Sequence, residues 1–194
     1  EVLVAFRAVE TDLDFHCPAH GDSGPIPVRR TRDMCFGTTR FIESVTRAGF
    51  GWIDDLNDAT MATGPGVGAV PLNIVGGVRT GPGEAYLRPA LSRPNLTVQT
   101  KTRAVRVDSQ GDRAVAVEAI GEQGPVRLTA DRIVLCAGAI GTAHLLMLSG
   151  VGDEAMLRAA GVPVRAALPV GAHCADHPEL LVSAEWPATP GRPV

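Results

Sequence analysis

Small residues follow one apolar segment of the sequence in a pattern that suits binding of a phosphate or a flavin. Residues 132–136, Arg-Ile-Val-Leu-Cys, are mostly apolar, and residues 137–141 are Ala-Gly-Ala-Ile-Gly. Where a strand ends in such a turn and a helix begins, no side chain keeps a ligand away from the backbone amides. The G-x-x-G spacing also occurs where a strand and a helix simply pack closely, so these residues alone leave both interpretations open.

A second segment, Gly21-Asp-Ser-Gly-Pro, contains a serine in a setting that two hydrolase classes use. It resembles the nucleophile motif of trypsin-like proteases, but too few residues precede Ser23 for the barrel that supplies their histidine and aspartate. Gly21-Asp-Ser also resembles the first block of SGNH hydrolases, with Asn57 and the segment 176–178, Asp-His-Pro, as later blocks. That family separates its aspartate and histidine by three residues, whereas here they are adjacent. A plain turn is favoured, with an SGNH-type ester hydrolase using Ser23 as the minor alternative.

Possible metal ligands form two groups that lack an established spacing. The first comprises His173, Cys174, Asp176 and His177, and the second comprises His16, Cys17 and His20. Zinc sites need a defined ligand spacing, which neither group has, so we predict no metal site. Residues 29–32, Arg-Arg-Thr-Arg, are interpreted as a solvated loop.

The composition excludes several classes of function. The net charge is −3 and aromatic residues make up 4% of the chain, so the basic surface of a nucleic-acid-binding protein is missing. The longest apolar stretch, 133–148, is interrupted by glycine, threonine and histidine, which argues against a membrane span. The four cysteines show no close pairing, which is typical of reduced thiols in a cytoplasmic protein. The sequence starts without methionine, so we interpret it as an internal piece, and a preceding signal peptide stays open.

The first half of the chain predicts two helices among many turns. A helix is expected over residues 2–10, and a second follows Thr38 or Thr39 as N-cap and ends at Gly49. Residues 51–83 are rich in glycine and proline and show no period. Such a stretch should cover a site or pack against a scaffold rather than form a core alone.

The second half of the chain is more regular. Apolar residues alternate with polar ones over residues 96–107 and again over 114–120, with a third short run at 126–128, which predicts an antiparallel β-meander. A buried strand is expected at 132–136, a turn at 137–141 and a helix at 142–149 capped by Thr142. A last helix is expected over 153–160, with Gly161 at its end.

Several motifs, in one order, resemble the middle of a glucose-methanol-choline (GMC) oxidoreductase. The strongest is residues 138–152, Gly-Ala-Ile-Gly-Thr-Ala-His-Leu-Leu-Met-Leu-Ser-Gly-Val-Gly, which resembles the family's second signature apart from Ala143. The others are Ala85-Tyr-Leu-Arg-Pro-Ala, Arg93-Pro-Asn-Leu-Thr-Val, Gly51 with Asp55 and Asn57, Asn73 with Gly77 and Arg79, His20-Gly21 with Gly24-Pro25, and Val170-Gly171 with Asp176-His177-Pro178. His173 and Cys174 depart from the pattern of the last segment.

The resemblance implies an α/β fold and a flavoenzyme. The fold would be part of an FAD-binding Rossmann-like domain with a β-meander, joined to part of the substrate-binding cap domain. Its activity would be oxidation of a small-molecule alcohol by hydride transfer to N5 of FAD. Val105 matches the residue that meets the adenine through its backbone, and Ala137 and Gly138 match positions close to the flavin. The resemblance leaves open whether the enzyme is an oxidase or a dehydrogenase, and which electron acceptor it uses.

The resemblance also implies a division of the chain. Residues 1–95 would be a loop-rich, substrate-side portion, 96–178 a portion of the FAD domain, and 179–194 the start of a return into the substrate domain. The family's G-x-G-x-x-G turn is missing from the chain, and its catalytic histidine would follow Val194. We therefore predict no catalytic residue here and an inactive isolated chain. The alternative is a non-catalytic, truncated paralogue that acts as a binding module and exposes the apolar segment 133–136.

Overall fold

The structure, a computed structural model, describes residues 2–58, 60, 64–178 and 182–183. Helices and several small sheets alternate along the chain, which confirms the predicted α/β class. The chain divides into two compact units, Glu1–Val98 and Gln99–Val194. The assignment of residues 1–95 and 96–178 to different functions stays a prediction. The predicted final segment, 179–194, lies outside the described residues except for 182 and 183.

The first unit opens with a helix that runs directly into a small sheet. Helix α1 spans Val2–Val9, close to the predicted 2–10, and strand β1 follows at Glu10–Asp12. Strand β1 pairs in parallel with β2, Ile26–Arg30. A parallel pair cannot be closed by a tight hairpin turn, so the irregular residues 13–25 make the connection.

The rest of the first unit consists of short elements. They are α2 (Phe36–Arg47), β3 (Gly51–Trp52), β4 (Gly66–Val67), β5 (Pro71–Leu72), β6 (Ile74–Val75), β7 (Val78–Arg79), a π-helical turn (Gly83–Leu87) and α3 (Arg88–Ala90). Strand β5 extends the first sheet by pairing with β2, and β3 pairs with β4. Strands β6 and β7 form a hairpin whose turn, Gly76-Gly77, has φ values of 59° and 78° that suit glycine.

The second unit is built on the predicted antiparallel meander. Its strands are β8 (Arg103–Gln110), β9 (Arg113–Gly121) and β10 (Gly124–Thr129), and they lie in the order β10-β9-β8. Ala116 and Ala119 of the central strand are buried, with exposed fractions of 0% and 4%. The meander is therefore confirmed, and its centre carries small side chains.

A helical module follows the meander. It contains α4 (Gly138–Leu148), β11 (Val151–Gly152), α5 (Glu154–Ala159) and β12 (Ala166–Ala167), and β11 pairs in parallel with β12. The carboxylate of Asp153 caps α5 by accepting the N–H of Met156 at 2.9 Å. Gly161 follows the helix with a φ of 70°, so the predicted last helix is confirmed at both ends.

Two predicted strand segments differ from the structure. Residues 132–136 have no regular structure, because no described strand lies beside them to complete a parallel ladder. The first meander strand begins at Arg103 and not at Leu96, since Lys101 has a φ of 52° that interrupts an extended backbone.

Two predicted helix starts were also wrong. Helix α2 begins at Phe36 with Cys35 as its N-cap, and Thr39 instead donates its hydroxyl to the Cys35 carbonyl at 3.2 Å. Helix α4 begins at Gly138 and not at Thr142, whose hydroxyl accepts the N–H of Ala137 at 3.2 Å. Among the described residues, no helix combines the length and the apolar character that a membrane crossing requires.

Candidate functional site

Strand β8 carries a bulge at Val105 on the open edge of the meander. In the described part of the chain, β9 lies on one side of β8 and no strand lies on the other. Pairing passes from Ala104 opposite Ala119 to Arg106 opposite Glu118 and omits Val105. A bulged residue is left out of the ladder, so the peptide groups of Val105 lie outside the regular pairing with β9.

The start of α4 presents open backbone amides. Gly138 has a φ of 80°, and a Cβ atom placed there would meet nothing within 4 Å. The first turn of α4 holds no acidic residue, so the positive end of the helix dipole is not neutralised by a side chain of the helix. Ala137 and Gly138 are both exposed. Such a turn can accept an anionic or electron-rich ligand.

The three residues predicted to bind a cofactor lie on two elements that touch. Helix α4, which Ala137 and Gly138 begin, packs against strand β8, which carries Val105. At the far end of α4 the hydroxyl of Ser149 accepts the backbone N–H of Val107 at 2.8 Å. The structure therefore brings the two predicted contact regions into one unit, and their contact with a cofactor stays a prediction.

Two grooves flank α4. One has a volume of about 560 Å³ and runs between the meander, residues 133–135 and the helix, with Leu135, Leu146 and Val107 in its lining. The other has a volume of about 490 Å³ and is lined by Ile140, His144 and residues near Gly171. Both are large enough for part of a small-molecule ligand.

The first unit holds a second candidate site, which sequence reasoning missed. Five charged side chains, called here the ion cluster, meet beside β1 and β2: Glu10, Asp12, His20, Arg30 and Asp55. The imidazole Nδ1 lies 3.1 Å from both the Glu10 and the Asp12 carboxylates, and Nε2 lies 2.5 Å from Asp55. Asp12 and Asp55 are fully buried, and Arg30 binds both of them, the latter at 2.9 Å.

The charged groups of the ion cluster shift one another's pKa values. Burial alone would lower the pKa of His20, but its hydrogen bonds to Asp55 and Glu10 outweigh this and raise the pKa. Burial would raise the pKa of Asp12, yet hydrogen bonds from Arg30 and the backbone lower it, and the same competition lowers the pKa of Asp55. Because both ring nitrogens face carboxylates, the arrangement favours a doubly protonated imidazole.

The ion cluster could in principle bind a metal ion. Glu10, Asp12 and His20 each offer a ligand atom, and these atoms lie within 4.8 Å of one another. However, the Arg30 guanidinium already occupies Asp12 and also lies 4.7 Å from the centre of the Phe15 ring. The positive charge that these carboxylates need is thus supplied by side chains, and we interpret the cluster as an ion-pair network.

The segment around Ser23 has a structural explanation. A Cβ atom on Gly21 would overlap the carbonyl oxygens of Arg7 and Glu10, and one on Gly24 would overlap the backbone of Val9 and Glu10. Both glycines are needed for this close approach. Ser23 is exposed, and among the described side chains none hydrogen-bonds to its hydroxyl. The turn interpretation fits this geometry, and the ester hydrolase does not.

Few features of the sequence indicated the ion cluster. Arg30 was expected in a solvated loop, but only 6% of it is exposed, so this prediction was wrong. His20 and Asp55 were noted within motifs, but nothing in their spacing joins residues 35 positions apart. Of the other possible metal ligands, His173 and Cys174 line the second groove, and Asp176 accepts the N–H of His177 at 2.8 Å.

Comparison with known proteins shows the family to which the chain is similar. A family model described as GMC oxidoreductase matches residues 1–179. An uncharacterized GMC-type oxidoreductase of Rhodococcus erythropolis is 39% identical over 184 residues, covering 94% of this chain and 37% of that protein. Human mitochondrial choline dehydrogenase is 36% identical, covering 84% and 27% of the two chains. The crystal structure of pyridoxine 4-oxidase from Mesorbium loti superimposes with a TM-score of 0.78 at 33% identity, covering 87% and 33%.

The chain therefore belongs to the GMC oxidoreductase family, as its motifs predicted. The family binds FAD in general. The chain spans about a third of the length of the first relatives.

Proposed function

We propose that this chain forms part of the FAD site of an enzyme that oxidises a small-molecule alcohol. The observation that carries the proposal is the open turn at Ala137–Gly138, within a chain that matches the family model over residues 1–179. Backbone donors are offered there and at the Val105 bulge, and the first turn of α4 has no acidic side chain to repel a phosphate. The residues present thus fit the cofactor.

Each part of the candidate site has a proposed task. The peptide groups of Val105 would hold the adenine end of the cofactor, and Ala137 with Gly138 would approach the flavin. Leu135 and Leu146 line the first groove and would exclude water from it. Bound FAD supplies the hydride acceptor for a CH–OH donor.

The remaining parts of the proposal concern the full-length protein. Because this chain spans about a third of its relatives, the catalytic base, the electron acceptor and the choice of alcohol are assigned to the rest of the enzyme. We assign no catalytic residue here and propose that the isolated chain is inactive. Choline and pyridoxine, named for two relatives, are the first substrates to assay. A cytoplasmic location stays a prediction from the cysteines.

The turn is tested by placing a carboxylate in it. Gly138→Asp adds a Cβ atom and a negative charge at the proposed cofactor contact, so the dissociation constant for FAD should rise at least about tenfold in the full-length protein. Gly124→Asp is the matched control, since Gly124 also has a positive φ and open space around it. Flavin fluorescence during titration gives both constants. Equal affinity of the two variants for FAD would contradict the proposal.

The second candidate function is a non-catalytic binding module. It is favoured by the apolar side chains of Val134 and Ile140, which are 72% and 83% exposed. A full-length protein that purifies as a cooperatively folding monomer, and that neither contains nor takes up FAD, would support the binding module and contradict the oxidoreductase.

A further inference from the structure

Ser149, at the end of α4, is the point where the helix is tied to the meander. Its side chain is buried, with 5% of the residue exposed. The hydroxyl donates to the Leu145 carbonyl at 2.6 Å and accepts the N–H of Val107 at 2.8 Å. One hydroxyl therefore joins residues 42 positions apart.

The contact with Ser149 provides a hydrogen-bond acceptor for the backbone N–H of Val107. Strand β8 is an edge strand, so a backbone N–H on its outer side would otherwise lack a partner from the sheet. Val107 follows the Val105 bulge by two residues, at the point where regular pairing with β9 has resumed. Ser149 thus fixes the strand immediately beside the bulge.

A second, more exposed link supports the same arrangement. The Arg165 guanidinium donates to the Ser109 carbonyl at 3.0 Å and lies 3.5 Å from the Asp108 carboxylate. The backbone N–H of Arg165 bonds to the Gly150 carbonyl at 2.8 Å. Gly150 has a φ of 85°, and a Cβ atom there would overlap the Pro163 carbonyl. The residues that surround Ser149 therefore hold one defined geometry.

Helix α4 connects this tie to the proposed flavin contact. The helix runs from Gly138 to Leu148, which corresponds to about 16 Å of rigid backbone. One end of the helix carries the Ala137–Gly138 turn, and the other end is joined to β8 beside Val105. A shift of the helix along or around its axis would therefore change the spacing between the two regions.

We propose that Ser149 is a positioning residue that sets the distance between the Val105 bulge and the Ala137–Gly138 turn, and so prepares both to hold one FAD molecule. The proposal rests on the proposed function. It assigns Ser149 no contact with the cofactor, because its hydroxyl is buried and bonds to Leu145 and Val107.

The test compares two substitutions of Ser149 in the full-length protein. Ser149→Ala removes the acceptor but leaves the backbone bonds of the helix end, in which the Ser149 N–H donates to the Leu145 and Leu146 carbonyls. Ser149→Cys fills the same space with a weak acceptor. If positioning by the hydrogen bond is the role, both variants should bind FAD about tenfold more weakly. The visible circular dichroism of the flavin that remains bound should also change.

The control variant is Thr46→Ala. Thr46 makes the same local bond, from its hydroxyl to the carbonyl four residues earlier at 2.8 Å, and within the described residues its side chain bonds to no other element. Its substitution should leave FAD binding unchanged. Normal affinity in Ser149→Ala would overturn the positioning role and leave the proposed function intact. If Ser149→Cys binds FAD normally and Ser149→Ala does not, Ser149 acts by packing and not by its hydrogen bond. That result would also overturn the positioning role. A wild-type protein that fails to bind FAD would overturn the proposed function and the inference together.

A measurement on the wild-type protein covers the case in which Ser149→Ala does not fold. In the FAD-loaded protein, the Val107 amide should exchange its hydrogen slowly although it lies on an edge strand. Exchange of this amide as fast as that of a solvated edge amide would overturn the proposal.

Discussion

The two units of the chain keep their irregular segments in place by different means. In the first unit the buried polar side chains are charged: Asp12, His20, Arg30 and Asp55. In the described part of the second unit the buried polar side chain is Ser149, which is neutral, and the buried apolar side chains are alanine and leucine. Buried ion pairs thus mark the first unit, whereas the second has a longer sheet, one buried hydroxyl and more exposed ion pairs such as Arg165–Asp108.

The difference follows from the length of the strands. Strands β8 and β9 contain 8 and 9 residues, and β9 pairs with a strand on each side. The strands of the first unit contain 2 to 5 residues, so its loops depend on side chains for their hydrogen bonds. Asp12, for example, accepts the N–H groups of Asp14 and Phe15 at 2.9 Å. The charge-dependent unit should therefore be the more sensitive one to substitution of a single charge and to pH.

The largest effect is expected from removal of the buried guanidinium. Arg30→Met leaves Asp12 and Asp55 without their cation in a buried place, which should cost about 3–5 kcal/mol of local stability. The measurement is hydrogen exchange of the β1 and β2 amides in the full-length protein, with the β9 amides as an internal reference. The matched control is Arg29→Met on the same strand, because Arg29 is half-exposed and its loss should cost about 0–1 kcal/mol. Equal losses in the two variants would contradict the ion-pair interpretation.

The next effect is a pH dependence confined to the first unit. The pKa of His20 is raised above its ordinary value of 6.5, so its contribution is complete below that pH and is lost as pH rises through the raised pKa. The pKa values of Asp12 and Asp55 are lowered from 3.8, so their contribution is complete above that pH and is lost on further acidification. The stability of the first unit should therefore be greatest between about pH 4 and 6.5, falling by up to about 1.4 kcal/mol for each unit of pH above the window.

His20→Gln tests this dependence. The variant should lose the decline above pH 6.5, whereas His16→Gln, at an exposed position, should keep it. Hydrogen exchange of the β1 amides across the pH range gives both profiles, after correction for the intrinsic rate. A decline of equal size in the β9 amides would show that the effect is global and would remove the contrast between the units.

Substitution by alanine should change local stability in opposite directions at two glycines of the first unit. Gly24→Ala should cost about 1–3 kcal/mol, because its Cβ atom would overlap the backbone of Glu10. Gly37→Ala should stabilise α2 by about 0.5–1 kcal/mol, since a Cβ atom there meets nothing within 4 Å and alanine favours the helix. Local unfolding free energies from hydrogen exchange at β1 and α2 test both signs.

The elements that the sequence predicted well are those whose signals are local. The meander and α5 follow from alternation, from the acidic start of the helix and from Gly161 at its end, and all of these act within a few residues. The predicted strand at 132–136 needs neighbouring strands that the described chain does not contain, so its apolar pattern was not sufficient. The starts of α2 and α4 were misplaced because a threonine hydroxyl bonded a nearby backbone group without capping the helix.

The candidate sites also contain residues that the sequence predicted and residues that it did not. Motif order led to Val105, Ala137 and Gly138, and the structure adds the bulge at Val105 and the open turn at Gly138. Ser149 belongs to the motif at residues 138–152, but its bond to Val107 joins residues 42 positions apart and is visible only in the folded structure. The ion cluster has members separated by up to 45 positions, from Glu10 to Asp55, so no local pattern indicated it.

The smallest expected effect concerns the serine that first suggested a hydrolase. Ser23→Ala and Ser149→Ala remove the same hydroxyl, but Ser23 is exposed and Ser149 is buried between two elements. Ser23→Ala should therefore change local stability by less than about 0.5 kcal/mol and leave FAD affinity unchanged. Titration with FAD and an assay of ester hydrolysis, both on the full-length protein, test this. Ester turnover in the wild type that disappears in Ser23→Ala would restore the hydrolase. It would also show that burial is the wrong criterion for distinguishing the two serines.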